Sequence, residues 1–391
     1  MNKEICHGIY SVGVDDPDLA KFENQYPLTS GVSYNSYVVC GGDKTALLDS
    51  VDRRCTGQWL ERVAAAAPQG VDYLIVLHME PDHSASIADF MTRYPGAVIV
   101  ASAPALKILG QFFPEVDFAG KTLAVGDGDS LQLGSETLTF YGAPMIHWPE
   151  VMVAYHPASG TVFSADAFGT FGTDSAADWA PEARRYYSNI VGKYGSQTQK
   201  LLAKIAALPS VGRICPLHGP VLSGEVLARA MKLYDLWSRY EPEEPQGVLV
   251  AYASIYGNTA EVALNAARQI EARGVKAAAI DLCSRDVSFA VGEAFRFGRI
   301  ICASPTYDAG LFPAMHDFLY HLQIKGVRNR RFGLIENGSW APNAARFMSA
   351  MIGQLKSCEV VGPTVTLRST ANATTADVLG QLVDNILNSA E

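Results

Sequence analysis

Two of the chain's eight histidines stand in one six-residue run, His78-Met79-Glu80-Pro81-Asp82-His83. The segment before it, Tyr73-Leu74-Ile75-Val76-Leu77, is apolar enough to be a buried strand, and Ser84 begins a helical stretch. Four metal-competent side chains therefore crowd the loop at a strand's carboxyl end, where α/β proteins place their ligands. A polar loop with Asp82 as a helix cap would account for an isolated pair of such residues, but not readily for four. Three more candidates end or follow a strand: His147 in Pro144-Met145-Ile146-His147-Trp148, Asp166 in Phe163-Ser164-Ala165-Asp166, and His218 in Pro216-Leu217-His218-Gly219. Imidazole and carboxylate donors suit iron, manganese or zinc, and the lack of cysteine among them disfavours copper(I), iron–sulfur clusters and structural zinc. Four histidines and three carboxylates are too many for one metal and about right for two that share a carboxylate. The other histidines, His7, His156, His316 and His321, have no partner at ligand spacing and are expected at the surface or in supporting positions.

A second chemistry begins after the apolar run Val248–Ala253. The turn Ser254-Ile255-Tyr256-Gly257-Asn258-Thr259 leads into a helical stretch, Ala260–Arg273. Small and hydroxylated residues at a strand-to-helix turn expose backbone N–H groups, and the helix dipole favours a phosphate there. The turn has neither the GxGxxG spacing of a dinucleotide fold nor the Gly-Lys-Ser/Thr of an ATP-binding loop. Two further loops follow strands in the same way: Ser304-Pro305-Thr306-Tyr307-Asp308 after Arg299–Ala303, and Asn337-Gly338-Ser339-Trp340 after Arg331–Glu336.

These residues carry a resemblance. The order His-x-Glu-x-Asp-His, then His, Asp and His, resembles the metallo-β-lactamase superfamily, and Glu80, where the hydrolases usually have histidine, looks like the flavodiiron proteins. Tyr34-Asn35-Ser36-Tyr37, His147-Trp148-Pro149-Glu150 and Ser164-Ala165-Asp166-Ala167-Phe168-Gly169 match as well. The turn at Ser254–Thr259 resembles the flavodoxin phosphate loop. The family pattern implies that His78, Glu80 and His147 bind one iron, that Asp82, His83 and His218 bind the other, and that Asp166 bridges them. It implies FMN on the three later loops, with Tyr307 and Trp340 placed to stack on the flavin. It further implies reduction of dioxygen to water, of nitric oxide to nitrous oxide, or both, with electrons from rubredoxin or reduced deazaflavin. A head-to-tail homodimer, or a dimer of such dimers, would bring the flavin of one chain beside the iron of the other. The chain departs from the pattern at Phe22-Glu23-Asn24, where the family has Phe-His-Gly, so that Glu23 or Tyr26 takes the missing histidine's place. It departs again at Ser339-Trp340-Ala341-Pro342-Asn343, where many members carry Ser-Tyr-Gly-Trp. Tyr194, shortly after the family-like Tyr187-Ser188-Asn189-Ile190, is the candidate pocket tyrosine. The alternative is a zinc-dependent hydrolase of the metallo-β-lactamase superfamily fused to a flavodoxin-like domain, against which Glu80 and the flavin loops weigh.

The elements that must position these residues fall into two textures. Up to residue 240, short β runs (Ser33–Val39, Thr45–Leu48, Tyr73–Leu77, Ala97–Ala101, Thr137–Tyr141, Val151–Tyr155, Thr161–Ser164) mix with helical stretches at Gly57–Ala67, Ser84–Tyr94 and Pro104–Phe112. After it, Val248–Ala253, Ala277–Leu282, Arg299–Ala303 and Arg331–Glu336 read as buried parallel strands, each followed by a helix. Glu241-Pro242-Glu243-Glu244-Pro245-Gln246-Gly247 between them reads as a linker. The expected organisation is a domain over 1–243 and another over 248–391. The fold class is α+β and α/β: an N-terminal metallo-β-lactamase-like αββα sandwich, then a C-terminal flavodoxin-like doubly wound parallel sheet.

Composition agrees with this plan. The 391 residues are 48% hydrophobic and 18% charged, enough for sizeable cores and against disorder or coiled coil. A net charge of −9 argues against nucleic acid and anionic membranes as partners. Seven scattered cysteines, never spaced CxxC, point to reduced thiols, and no apolar stretch has the length of a signal peptide core or a membrane span. The expected location is the cytoplasm. No CxxC module or nicotinamide-binding pattern is legible, so the electrons are expected from an external donor.

Overall fold

The computed structural model describes residues 3–6, 8–174 and 177–388, and His7 lies outside them. The chain forms two compact units, one of Met1–Tyr187 and Tyr194–Asp235, the other of Ser188–Lys193 and Leu236–Glu391.

The first unit is built on two mixed sheets. One has seven strands in the order Lys3–Cys6, Ile9–Ser11, Tyr37–Cys40, Thr45–Leu48, Tyr73–Val76, Val98–Ser102 and Thr122–Val125. The other has six: Ser130–Gln132, Thr137–Gly142, Met152–His156, Thr161–Phe163, Arg213–Cys215 and Leu222–Ser223. Tyr73–Val76 runs parallel to both of its neighbours, and its Leu74, Ile75 and Val76 are buried, as a central strand covered on both faces requires. Helices carry apolar residues at helical spacing, such as Trp59 and Val63, both fully buried in Thr56–Ala66.

Two elements differ from the sequence expectation, and both differences serve a loop. The run expected as one strand, Ser33–Val39, is two strands, Val32–Tyr34 and Tyr37–Cys40. At the break, Asn35 Nδ2 donates to the carbonyls of Pro216 (2.9 Å) and Gly219 (2.7 Å), and Asn35 N–H to that of Leu217 (2.8 Å). The chain leaves the sheet in order to hold the loop that carries His218. The helix expected over Ser84–Tyr94 is a short turn, Pro81–Ser84, and a helix, Ile87–Arg93. Ser84 Oγ donates to Met79 O (2.8 Å) and Ser86 Oγ to Val51 O (2.9 Å), local bonds that compete with continuous helix.

The second unit is a parallel sheet in the order Ala277–Asp281, Glu244–Tyr252, Phe297–Tyr307, Arg331–Asn337, then Glu359–Val360 and Val365–Leu367. Numbered along the unit this is 2-1-3-4-5, the doubly wound order of flavodoxins, with its switch point between the first and third strands. The expected linker is shorter than it reads, because Glu244-Pro245-Gln246-Gly247 already belongs to the strand Glu244–Tyr252. Pro245 falls where the pairing with Phe297–Tyr307 slips between Glu244 and Val248, so its missing N–H costs no ladder bond. Gly298 makes that slip possible, since a Cβ there would stand 2.2 Å from Pro245 O. His316 on the helix Pro313–Ile324 is exposed, and His321 Nδ1 lies 2.9 Å from Asp317 O.

Among the described residues no helix is long and apolar enough to cross a membrane. Arg330, 1% exposed, donates to the carbonyls of Tyr240 (2.8 Å), Arg328 (2.9 Å), Ala294 (3.0 Å) and Phe295 (3.1 Å). Arg330→Met should destabilise the second unit by about 2–4 kcal/mol, because several buried carbonyls lose their donor at once. Urea unfolding checks this; an unchanged midpoint would mean that those carbonyls do not depend on the guanidinium.

Candidate metal centre and cofactor pocket

The seven residues singled out as metal-competent come together in the first unit. His78 and the Pro81–Ser84 turn follow Tyr73–Val76, Asp166 follows Thr161–Phe163, and His218 follows Arg213–Cys215. His147 comes from the loop after Thr137–Gly142. One donor atom each of His78, Glu80, His147 and Asp166 lies within 4.8 Å of the others, and Asp82, His83 and His218 form a second such group. Asp166 faces both. Its Oδ2 is 3.2 Å from His147 Nε2 and 3.6 Å from His78 Nε2, while its Oδ1 is 3.1 Å from His83 Nε2 and 3.8 Å from His218 Nε2. Donor atoms about 2.1 Å from one ion sit roughly 3 Å from each other, which is the spacing found here.

A test of fit comes from the carboxylates. Both oxygens of Asp166 and both of Asp82 are buried and have no hydrogen-bond partner. An ionised carboxylate in that state is costly unless a cation answers it. The imidazoles approach these oxygens in distance but not along a hydrogen-bond direction, as ligands of a common ion would. The donor set therefore fits metal.

The supporting contacts fix how the imidazoles point. His78 Nδ1 is 2.8 Å from Glu150 Oε1, which also accepts Met79 N–H at 2.9 Å, and both side chains are fully buried. His218 Nδ1 donates to Ser33 O at 2.8 Å. Each of these bonds holds a tautomer that leaves Nε2 facing inward. Asp49 Oδ1 accepts Leu77 N–H (2.8 Å) and His78 N–H (3.2 Å), pinning the end of the strand. Burial alone would lower the His78 imidazole, but Asp166, Glu150 and Glu80 hold it well above its ordinary value. Burial also works against His83 and His147, and their carboxylate neighbours still raise each to about 9. The same imidazoles outweigh burial at Asp166 and keep it well below the usual carboxylate range. Glu23 stands at the rim, raised to about 7 by desolvation and by Glu80, with His147 opposing.

Asp49, Ser33 and Tyr186 were not read from the sequence as part of this site, since a lone acid, serine or tyrosine has no spacing signal. Tyr26 is buried with its ring 6.1 Å from that of Phe171. Tyr194 is half-buried and precedes the helix Gly195–Ala206, its carbonyl accepting the Thr198 hydroxyl at 3.2 Å. The tyrosine whose ring lies 5.6 Å from that of His218 is Tyr186. His156, expected at the surface or in support, is fully buried, with Nε2 2.9 Å from Glu136 and Nδ1 2.8 Å from Ser159 Oγ, because it ends a strand inside the second sheet.

In the second unit a cavity of about 330 Å³ opens at the switch point. Of the residues expected there it is lined by Ser254, Ile255, Tyr256, Asn258, Thr259, Pro305, Thr306, Asp308, Asn337, Gly338, Ser339 and Trp340. Gly257 is the N-cap of the helix Asn258–Ala272 at φ 94°, with no side chain to cap the first N–H groups, which suits an incoming anion. Ser304 is buried with its hydroxyl on Pro305 O, and Tyr307 turns its ring against Phe312, centroids 5.6 Å apart. Ser369 adds a fourth loop, its Oγ donating to Ser339 Oγ at 2.8 Å and its carbonyl accepting Asn337 Nδ2 at 3.1 Å. The strand before it, Val365–Leu367, has only three residues, too few to announce a binding loop.

Non-glycine residues with positive φ gather at these places. Of twelve among the described residues, Glu23, Asn24, Asp49, Met145, Ala165 and Phe168 flank the candidate centre, and Asp308, Ala309 and Ser369 line the cavity. Strain of this kind is held where surrounding structure over-determines the backbone, and it concentrates at functional sites.

Known proteins share the arrangement. Residues 32–219 match the ODP family beta lactamase model. A diflavin flavoprotein A 1 of Synechocystis is 32% identical over 73% of this chain, which spans only half the length of that protein. The coenzyme F420H2 oxidase of Methanothermobacter marburgensis is 29% identical over 91% of this chain and 92% of its own. The rubredoxin oxygen:oxidoreductase of Desulfovibrio gigas superposes with a TM-score of 0.91 at 24% identity, covering 99% and 98% of the two chains. The chain has the fold of the flavodiiron proteins. Flavin and non-haem iron are the cofactors this family implies. The hydrolase alternative gains nothing from these relatives, whose names are those of oxidoreductases and flavoproteins.

Among the contacts that orient these imidazoles, Glu150 is the one whose loss should be most visible. Glu150→Ala should lower metal affinity roughly 10–100-fold by freeing the His78 ring. Competition with a chelator, read as metal retained per chain, checks it; retention equal to wild type would assign the orientation of His78 elsewhere.

Proposed function

We propose that the chain is an oxidoreductase that reduces dioxygen to water, nitric oxide to nitrous oxide, or both, at a pair of non-haem irons, with FMN relaying electrons. One observation carries this reading: the two oxygens of buried Asp166 face two separate donor groups. In it His78, Glu80 and His147 hold one iron, Asp82, His83 and His218 hold the other, and Asp166 serves both. The start of Asn258–Ala272 would hold the phosphate of FMN, and the loops of Thr306 and Trp340 would hold its ring. When bound, two ferrous ions and one reduced flavin supply the four electrons that dioxygen takes up on reduction to water.

The chain's own residues do the rest. Glu150 and Ser33 O keep the imidazoles of His78 and His218 turned inward. Phe22 and Phe171, both buried and with rings 5.5 Å apart, keep water from one wall. Glu23 occupies the rim where the family has a histidine, and Tyr194 is retained as the pocket tyrosine read from sequence. Around the flavin cavity Tyr256 and Trp340 are 92% and 88% exposed, a surface suited to cover by another protein. A second copy, head to tail, is the proposed cover, with electrons arriving from rubredoxin or a reduced deazaflavin in the cytoplasm.

Elemental analysis and an absorption spectrum of protein purified without oxygen are the test, followed by oxygen and nitric oxide electrode assays. About two irons and one FMN per chain are expected; zinc without iron, or flavin without metal, would end the proposal. Asp166→Ala should lose both irons and keep FMN, and Thr259→Pro should do the reverse. Loss of both cofactors in either variant would argue against two independent sites.

A further inference from the structure

Access to the metal-competent residues is one-sided. The side chains of His78, His83, Asp166 and His218 are fully buried, whereas Glu80, Asp82 and His147 keep 14%, 13% and 11% of their surface. A small molecule therefore reaches the centre past those three. The charges of Glu80, His147, Asp82 and Asp166 all act on one further carboxyl, that of Glu23, which is itself exposed to solvent. Glu23 thus stands between water and the open side of the centre. Among the described residues no lysine or arginine forms an ion pair with it.

The backbone is held in an unfavourable shape to put it there. Lys21–Phe22 and Tyr26–Pro27 form a two-stranded sheet of their own, and Glu23 begins the turn between them. Gln25 N–H donates to Phe22 O at 2.9 Å, and Glu23 and Asn24 have φ of 49° and 53°. Turns with two left-handed residues take glycine, asparagine or aspartate, and glutamate is disfavoured in them. The hairpin does not need the glutamate for its own packing. Phe22 is buried with its ring 5.1 Å from the His218 imidazole and 5.5 Å from Phe171, and Arg185 Nη2 donates to Pro27 O at 3.0 Å. A strained position that carries an unpaired surface charge over a site calls for a functional reason.

Electrostatics supplies one. Two iron ions among the carboxylates of Glu80, Asp82 and Asp166 leave an excess of positive charge, which draws anions in. Those cations also favour the ionised form of a neighbouring carboxyl. A single negative charge at the mouth of a walled pocket acts on every ion that enters and leaves an uncharged molecule alone. We propose that Glu23 is a specificity-determining residue, whose carboxylate repels anions from the metal centre and admits uncharged diatomic molecules. This rests on the two-iron reading above.

Azide is the anionic probe and nitric oxide the uncharged one. Wild type, Glu23→Gln and Glu23→Lys are loaded with iron, and iron per chain is measured on each sample. Stopped-flow absorption follows azide binding to the oxidised proteins and nitric oxide binding to the reduced ones, at low and at high salt. Azide should bind faster in the order wild type, Gln variant, Lys variant, by roughly fivefold per step at low salt. The steps should shrink at high salt, because the charge acts through water and is screened. Nitric oxide should bind at one rate in all three. A substitution that merely disturbed the turn would change both probes alike, without following charge or salt, and that result would overturn the proposal. Equal azide rates with iron in place would overturn it too, and either outcome leaves the two-iron reading standing. A wild-type protein that holds no iron would overturn both.

Discussion

A carboxylate buried without a hydrogen-bond donor is the constraint to which the first unit answers. Asp166 is fully buried and charged, and its solvation must come from something other than protein N–H or O–H groups. The penalty for such a group is several kcal/mol. Four imidazoles reach it from three chain segments, and each needs its own ring nitrogen or backbone held in place. Glu150 and Ser33 O are consequences of that need, and so is the break in the first strand pair, where Asn35 ties down the loop of His218. Metal binding and correct folding of these loops are then one equilibrium seen from two sides.

The second unit solves a related problem with backbone instead of side chains. Parallel strands in the order 2-1-3-4-5 leave a crevice where the connections diverge to opposite faces of the sheet. The first helix begins there on a glycine, so its N–H groups and dipole suit an anion without competition from a side-chain cap. Both units thus put their reactive residues at the carboxyl ends of strands. Both also hold non-glycine residues in left-handed conformations around those ends, which only a rigid frame sustains.

Much of this was legible in the sequence because the decisive residues are rare types at fixed spacing. His78, Glu80, Asp82 and His83 stand within six positions, and the strand before them is continuous apolar residues. The parallel strands of the second unit were legible for the same reason, since burial on both faces leaves no polar alternation to confuse the reading. The rest was not, because it depends on bonds between distant segments. Nothing local says that Asn35 will leave its strand to bind Pro216 and Gly219, or that Ser369 will reach Ser339. Proline and glutamate at Glu244–Gly247 read as linker, yet a register slip facing Gly298 accommodates them in a strand. A tyrosine gives no signal until its surroundings are known, so Tyr194 stood out by its neighbours in the chain and Tyr186 by its neighbours in space.

The turn that carries Asp166 is anchored from behind. Phe168, at φ 67°, stacks on Tyr234 with centroids 4.1 Å apart and planes 23° from parallel, and its carbonyl accepts the Trp179 indole N–H at 3.3 Å. Glycine would adopt that backbone more easily, but it would bring no ring to the stack. The position of Asp166 is therefore referred to an aromatic clamp whose members Tyr234 and Trp179 are not metal-competent. Inheritance can then tune the centre without touching a ligand: drift at Tyr234 or Trp179 would move the carboxylate by fractions of an ångström while every donor stays in place. Relatives with the same donors and different chemical preferences have in such a clamp a physical place to diverge.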